Sequence, residues 1–141
     1  MTHPRVIVDT GPLVALFARR DSFHAWAADC FRSVPAPAVT CEAVLTEALF
    51  LLRKTSDGQK NLFEALRRGA IVEAFRAGEH LDRIDALMTR YAEVPMAFAD
   101  ACIVRMAETI PNAQVLTLDA DFHVYRRHGR LVVPLFRPVP R

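Results

Sequence analysis

The sequence predicts an α/β domain with a parallel sheet, and three observations carry that prediction. Short apolar runs of strand length alternate along the chain with longer stretches of helical period. The first run, Val6-Ile7-Val8, is β-branched throughout and breaks at Asp9-Thr10-Gly11-Pro12, a strand-to-helix turn. The chain has 141 residues, 52% of them hydrophobic, enough for one core without disulfides or a structural metal.

The elements follow in order. After the first strand, Pro12 suits the opening turn of a helix over 13–17. Asp21 and Ser22 are placed to cap a second helix running to about residue 32, and Val34-Pro35-Ala36-Pro37 breaks it before a short strand at 38–40. A helix over about 42–54 comes next. Ser56-Asp57-Gly58 is a turn, and the helix over 59–68 closes at Gly69, the residue type preferred just past a helix end. A strand over 70–75 leads to a helix over about 79–91. Pro95 interrupts the helical period, which restarts over 97–108 and ends at Pro111-Asn112. Residues 115–118 form a strand, 119–128 a short helix or turn, and 131–135 a last strand whose Pro134 suits a sheet edge. The total is about five strands, with no repeat or linker.

Composition excludes several classes of function. Eighteen Lys and Arg against 16 Asp and Glu leave a net charge of +2, too little for the broad cationic footprint of a duplex-binding protein. The N-terminal residues lack the pattern of a secretory leader, and no apolar run approaches the ~18 residues of a membrane span. Cys30, Cys41 and Cys102 are odd in number and widely spaced, as free buried thiols are in a reducing compartment. A cytoplasmic protein is expected.

Ligands of parallel α/β sheets bind outside the carboxyl ends of the strands, where Asp9 and Asp119 fall. Either could instead cap a helix. Glu47 and Asp100 lie within helices among small or apolar neighbours, Ala43, Val44 and Phe50 for the first and Ala97, Ile103 and Val104 for the second. That company predicts burial, and a buried carboxylate needs a partner: an arginine in one reading, a cation held jointly by four acids in the other. Oxygen ligands of this kind select Mg²⁺ or Mn²⁺ rather than zinc. Glu42 is set aside because five residues of helix turn it roughly 140° away from Glu47. The histidines are scattered, and Phe23 and Trp26 are expected in the core. Arg126, Arg127, His128, Arg130, Arg137 and Arg141, with Arg53 and Lys54, are either solvated or placed to hold phosphates.

Val8-Asp9-Thr10-Gly11-Pro12-Leu13, Thr46-Glu47-Ala48, Phe98-Ala99-Asp100-Ala101 and Leu116-Thr117-Leu118-Asp119-Ala120-Asp121-Phe122 resemble, in order and spacing, the acidic motifs of the PIN-domain nucleases. Among these, the chain is most similar to the small single-domain VapC-type toxin ribonucleases. The resemblance spans residues 1–141 and implies a three-layer α/β/α fold with a central twisted, mainly parallel sheet. It implies a metal-dependent ribonuclease with Asp9, Glu47, Asp100 and Asp119 as catalytic metal ligands, Asp121 as fallback, and Mg²⁺ (or Mn²⁺) as cofactor. Thr10 and Thr117 stand beside the acids and are candidates to orient them. RNA as substrate, a cognate antitoxin that blocks the acidic site and a homodimer are further implications.

Many relatives carry another Asp shortly before the third acid, where this chain has Met-Ala-Phe-Ala at 96–99. That departure leaves open a PIN-like RNA-binding or partner-binding protein with weak or no catalysis. An aspartyl-nucleophile phosphatase built on Asp9 is disfavoured, because position 11 is Gly rather than a second acid.

Overall fold

The computed structural model describes residues 3–138. Strands β1 (Arg5–Val8), β2 (Ala38–Thr40), β3 (Ile71–Glu73) and β4 (Ala113–Leu116) form a parallel sheet in the order β3-β2-β1-β4. Val6, Ile7, Val8 and all of β2 are buried, as strands covered on both faces must be. The covering comes from α1 (Thr10–Phe17), α2 (His24–Ser33), α3 (Glu42–Leu51), α4 (Gly58–Arg67), α5 (Leu81–Arg90) and α6 (Phe98–Thr109). The expected three-layer α/β/α architecture is present.

The strand order positions the site. The chain builds outward from β1 through β2 to β3, then returns to lay β4 on the other side of β1. Strand order therefore reverses between β1 and β4, and the crevice beyond their carboxyl ends is where such sheets bind ligands. Asp9 follows β1 directly and Asp119 lies three residues past β4.

Four local expectations are corrected. The second helix starts at His24, because the Asp21 carboxylate accepts from Phe23 N–H at 2.8 Å and forms a turn ahead of it. Helix α3 stops at Leu51 rather than near residue 54, its hydrogen bonding giving way to three-residue turns from Arg53 onward. Strand β4 runs two residues earlier than expected and releases Thr117 and Leu118 from the ladder. The fifth strand is reduced to one parallel bridge between Leu135 and Val115. Val115 N–H donates to Pro134 O and Phe136 N–H to Val115 O, both at 2.8 Å, whereas Pro134 has no N–H to extend the ladder. Residues Leu131–Val132 (β6) instead pair antiparallel with Arg126–Arg127 (β5) in a separate hairpin.

The hairpin is fastened to the helices by Glu108, whose side chain is 1% exposed. Arg83 of α5 grips this carboxylate with two hydrogen bonds at 2.9 and 2.7 Å, and Arg105 and the His128 N–H add a third and a fourth at 3.3 and 2.6 Å. Burial alone would raise the Glu108 carboxyl, but these donors outweigh it and hold it below the usual range.

Candidate active site

Asp9 is held on every side. Its N–H donates to Leu116 O across the sheet at 3.0 Å, Oδ1 accepts from Thr10 N–H at 2.8 Å, and Oδ2 accepts from the Thr117 hydroxyl at 2.7 Å. Thr10 in turn donates its hydroxyl to Glu47 Oε2 at 2.9 Å. On the other flank, Thr117 Oγ1 accepts from Asp119 N–H at 2.9 Å. One hydrogen-bonded chain thus runs Glu47, Thr10, Asp9, Thr117, Asp119 across the mouth of the crevice. Thr10 and Thr117 occupy the orienting places expected of them.

Asp100 enters from α6. As the third residue of that helix, it accepts from the free N–H of Ala97 at 2.9 Å, and the Tyr125 hydroxyl donates to the same oxygen at 3.3 Å. The residue is half-buried. Burial raises its carboxyl above the ordinary value, and the nearby charges of Asp119 and Glu47 raise it further. Asp9 is only 7% exposed and its pKa is pushed up to about 6, first by burial, then by Asp100 and Asp119, against the lowering effect of its hydrogen bonds. Acids from four separate segments therefore share one electrostatic environment.

The bland readings hold in part. Asp9 caps α1 through Thr10 N–H, and Asp119 Oδ1 accepts from Asp121 N–H at 2.9 Å at the start of a short 3₁₀ turn. The arginine reading does not hold: among the described residues, no ion pair includes any of the four acids. Capping leaves the negative charge uncompensated. Burial of Glu47 is corrected, because α3 turns Val44 and Ala48 into the core and leaves Glu47 exposed beside Thr46. Phe23 is likewise corrected, being half exposed with its ring edge-on to Trp26 at 6.5 Å.

The donor set suits a hard divalent ion. It offers carboxylate oxygens without imidazole, and the Asp9 carboxyl, raised first by burial and further by the charges of Asp100 and Asp119, is one whose ionised form a cation would favour. Each carboxylate is tethered to its own donor, and among the described residues no three acidic, His or Cys side chains stand close enough to enclose an ion.

Two grooves flank the acids. The larger, about 750 Å³, is lined by Glu42, Thr46, Glu47, Phe75, Arg76 and Phe98, among others, and its floor includes Cys41 and Cys102, two buried thiols in hydrogen-bond contact. The smaller, about 480 Å³, runs past Trp26, Thr117, Asp119, His123 and Arg137. Of the basic residues near the C-terminus, Arg126 is spent on the carbonyls of His123, Val124 and Tyr125, and Arg127 on Val132 O. Arg141 lies outside the described residues. Tyr125 is the participant that sequence reasoning missed, since an aromatic six residues beyond Asp119 reads as core, and it is indeed fully buried, with its hydroxyl turned to Asp100.

Comparison with known proteins agrees with the fold. The chain is 26% identical over 132 residues to Ribonuclease VapC26 of Mycobacterium tuberculosis, covering 92% of this chain and 93% of that one. Its fold is similar to the crystal structure of Mycobacterium tuberculosis VapC20, described as a sarcin-ricin loop cleaving toxin. The TM-score is 0.63 at 25% identity, with 84% of this chain and 93% of that one covered. Residues 6–127, from the first buried residue of β1 to the end of β5, match the profile of the PIN domain. The chain belongs to the PIN-domain family.

Proposed function

We propose that this protein is a metal-dependent endoribonuclease, the toxin of a type II toxin-antitoxin pair, formed by residues 1–141 as a single PIN-like nuclease domain. The observation that carries the reading is that Asp9, Glu47, Asp100 and Asp119 line one sheet rim and, among the described residues, form no ion pair with a cationic side chain. The similarity to a ribonuclease and to an RNA-cleaving toxin supports it.

These four carboxylates would hold Mg²⁺ or Mn²⁺, with half-buried Asp121 as the alternative to Asp119. When bound there, such an ion would lower the pKa of a water and offset negative charge on the phosphate. The chain's own residues orient the ligands: Thr117 fixes Asp9, Thr10 fixes Glu47, and Ala97 N–H with the Tyr125 hydroxyl fixes Asp100. None of the carboxylates would act as nucleophile: water would attack phosphorus as the P–O3′ bond breaks and O3′ takes up a proton, which leaves a 5′-phosphate and a 3′-hydroxyl. The partners are RNA, an antitoxin whose basic side chain enters the acidic crevice, and a second copy of the chain, all in the cytoplasm. No described helix is long and apolar enough to cross a membrane.

The test is cleavage of RNA by purified protein with Mn²⁺ or Mg²⁺, with and without EDTA, beside Asp9→Asn and Asp100→Asn. Metal-dependent cutting that both substitutions abolish is expected, together with growth arrest on expression that Asp9→Asn relieves. Cleavage that survives EDTA overturns the mechanism. Retention of uncut RNA by a protein that takes up no Mn²⁺ at millimolar levels replaces it with the binding-module reading.

A further inference from the structure

A second cleft, about 530 Å³, opens at the far end of α1 and is lined by Phe17, Arg19, Arg20, Lys54, Asp57 and Asn61, with short loop segments between. Three cations face one carboxylate there. Arg19, Arg20 and Lys54 are exposed, and among the described residues none of them is engaged in an ion pair. Neighbouring Arg53 is also free of acids: it donates to Phe50 O and lays its guanidinium over the Phe50 ring, 3.9 Å from the centroid. Like charges gathered on separate loops repel one another unless an anion lies between them.

The cleft is aligned with the acidic crevice. Helix α1 begins at Thr10, which touches Glu47, and ends at Phe17, which borders the cleft, so its eight residues span about 12 Å between the two. Helix α3 packs against α1 and makes the same journey, from Glu47 to Arg53 and Lys54 just past its end. The surface between offers Phe50, 61% exposed, with one face already stacked on a cation. Alternating cations and an open aromatic face are what a single strand uses, its phosphates on the former and a base on the latter. An acidic peptide would use the charges but not the ring.

We infer that Arg19, Arg20 and Lys54 form an RNA exosite, which takes backbone phosphates of the strand a few nucleotides from the bond held at the acids. The inference rests on the nuclease reading and adds to it a direction of approach, along the α1–α3 surface.

The experiment compares Asp9→Asn protein with the same protein carrying Arg19→Gln, Arg20→Gln and Lys54→Gln, binding a 5′-labelled random-sequence single-stranded RNA over a salt series. All three added positions are exposed, so unfolding curves are expected to coincide. Loss of three phosphate contacts lowers the slope of log affinity against log salt by about 2, at ~0.7 per contact for a single strand. In the otherwise wild-type background, the triple variant raises KM and leaves kcat at saturating RNA unchanged. An unchanged slope and KM in a protein that still cuts RNA overturns the exosite and leaves the nuclease standing. Absence of RNA binding by the Asp9→Asn protein together with absence of cleavage by the wild type removes the nuclease reading and the exosite with it. Equal affinity of the cleft for labelled polyglutamate reassigns it to an acidic protein partner and overturns the inference.

Discussion

The Thr117 hydroxyl donates to Asp9 Oδ2 at 2.7 Å while accepting from Asp119 N–H at 2.9 Å, so one side chain couples the acid after β1 to the acid after β4. Thr117→Val keeps the shape and removes both bonds. Mn²⁺ affinity, read by calorimetric titration, is expected to fall about 10- to 100-fold, with unfolding stability lowered by only about 1 kcal/mol. An unchanged titration would remove Thr117 from the site.

The pH dependence of stability without metal has a definite sign. Asp9 has a folded-state pKa of about 6, above its ordinary 3.8, so the folded state binds the proton more tightly and stability rises as pH falls from about 6 toward 4. A shift of about two units corresponds to roughly 3 kcal/mol. Asp9→Asn removes that penalty at neutral pH and is expected to raise Tm while abolishing activity. Denaturant unfolding with EDTA at pH 5 and 7.5 checks both. A wild type that weakens between pH 7 and 5 would contradict the burial argument. Saturating Mn²⁺ stabilises the wild type and not Asp9→Asn, because binding to the folded state alone adds stability by mass action.

Glu108 has the opposite sign. Its carboxyl is held below the usual value, so its contribution is present above about pH 4.5 and is lost as pH falls through the lowered folded pKa. Glu108→Ala takes the carboxylate from Arg83, leaves Arg105 only its bond to His80 and frees the His128 N–H, at an expected cost of about 2 to 3 kcal/mol by urea unfolding, since both guanidinium groups retain some contact with water. A loss under 1 kcal/mol would show the network to be ornamental.

Tyr125→Phe deletes one hydroxyl from a fully buried ring. Asp100 keeps its bond from Ala97 N–H and loses the one at 3.3 Å. Cleavage is expected to slow several-fold, up to about 10-fold, with an altered pH profile and an unchanged unfolding transition. A rate equal to wild type assigns the hydroxyl to packing alone.

Much of this was legible in the residues. Val6-Ile7-Val8 followed by Asp9 announces a buried parallel strand that ends in a polar turn, and parallel sheets present such turns on one rim, so Asp9 and Asp119 could be placed together from spacing. Glu47 was harder. The same helical neighbours fit a core-facing or a crevice-facing acid, and only the packing of Val44 and Ala48 inward decides which. The final strand failed for a different reason: Leu131 to Val133 has strand propensity and Pro134 interrupts it, but the partners are distant Val115 for Leu135 and the Arg126–Arg127 pair for Leu131 and Val132, which no local pattern reveals. Tyr125 reached Asp100 by tertiary contact alone.

The single bridge between Leu135 and Val115 has a consequence for solubility. Strand β4 is the last of its sheet, and an uncovered final strand is a template on which other molecules add their own. Because residues 134–136 occupy both backbone groups of Val115, the tail stands guard at that border. A chain shortened before Pro134 would expose the border next to Asp119, and the first sign would be protein coming out of solution rather than loss of catalysis.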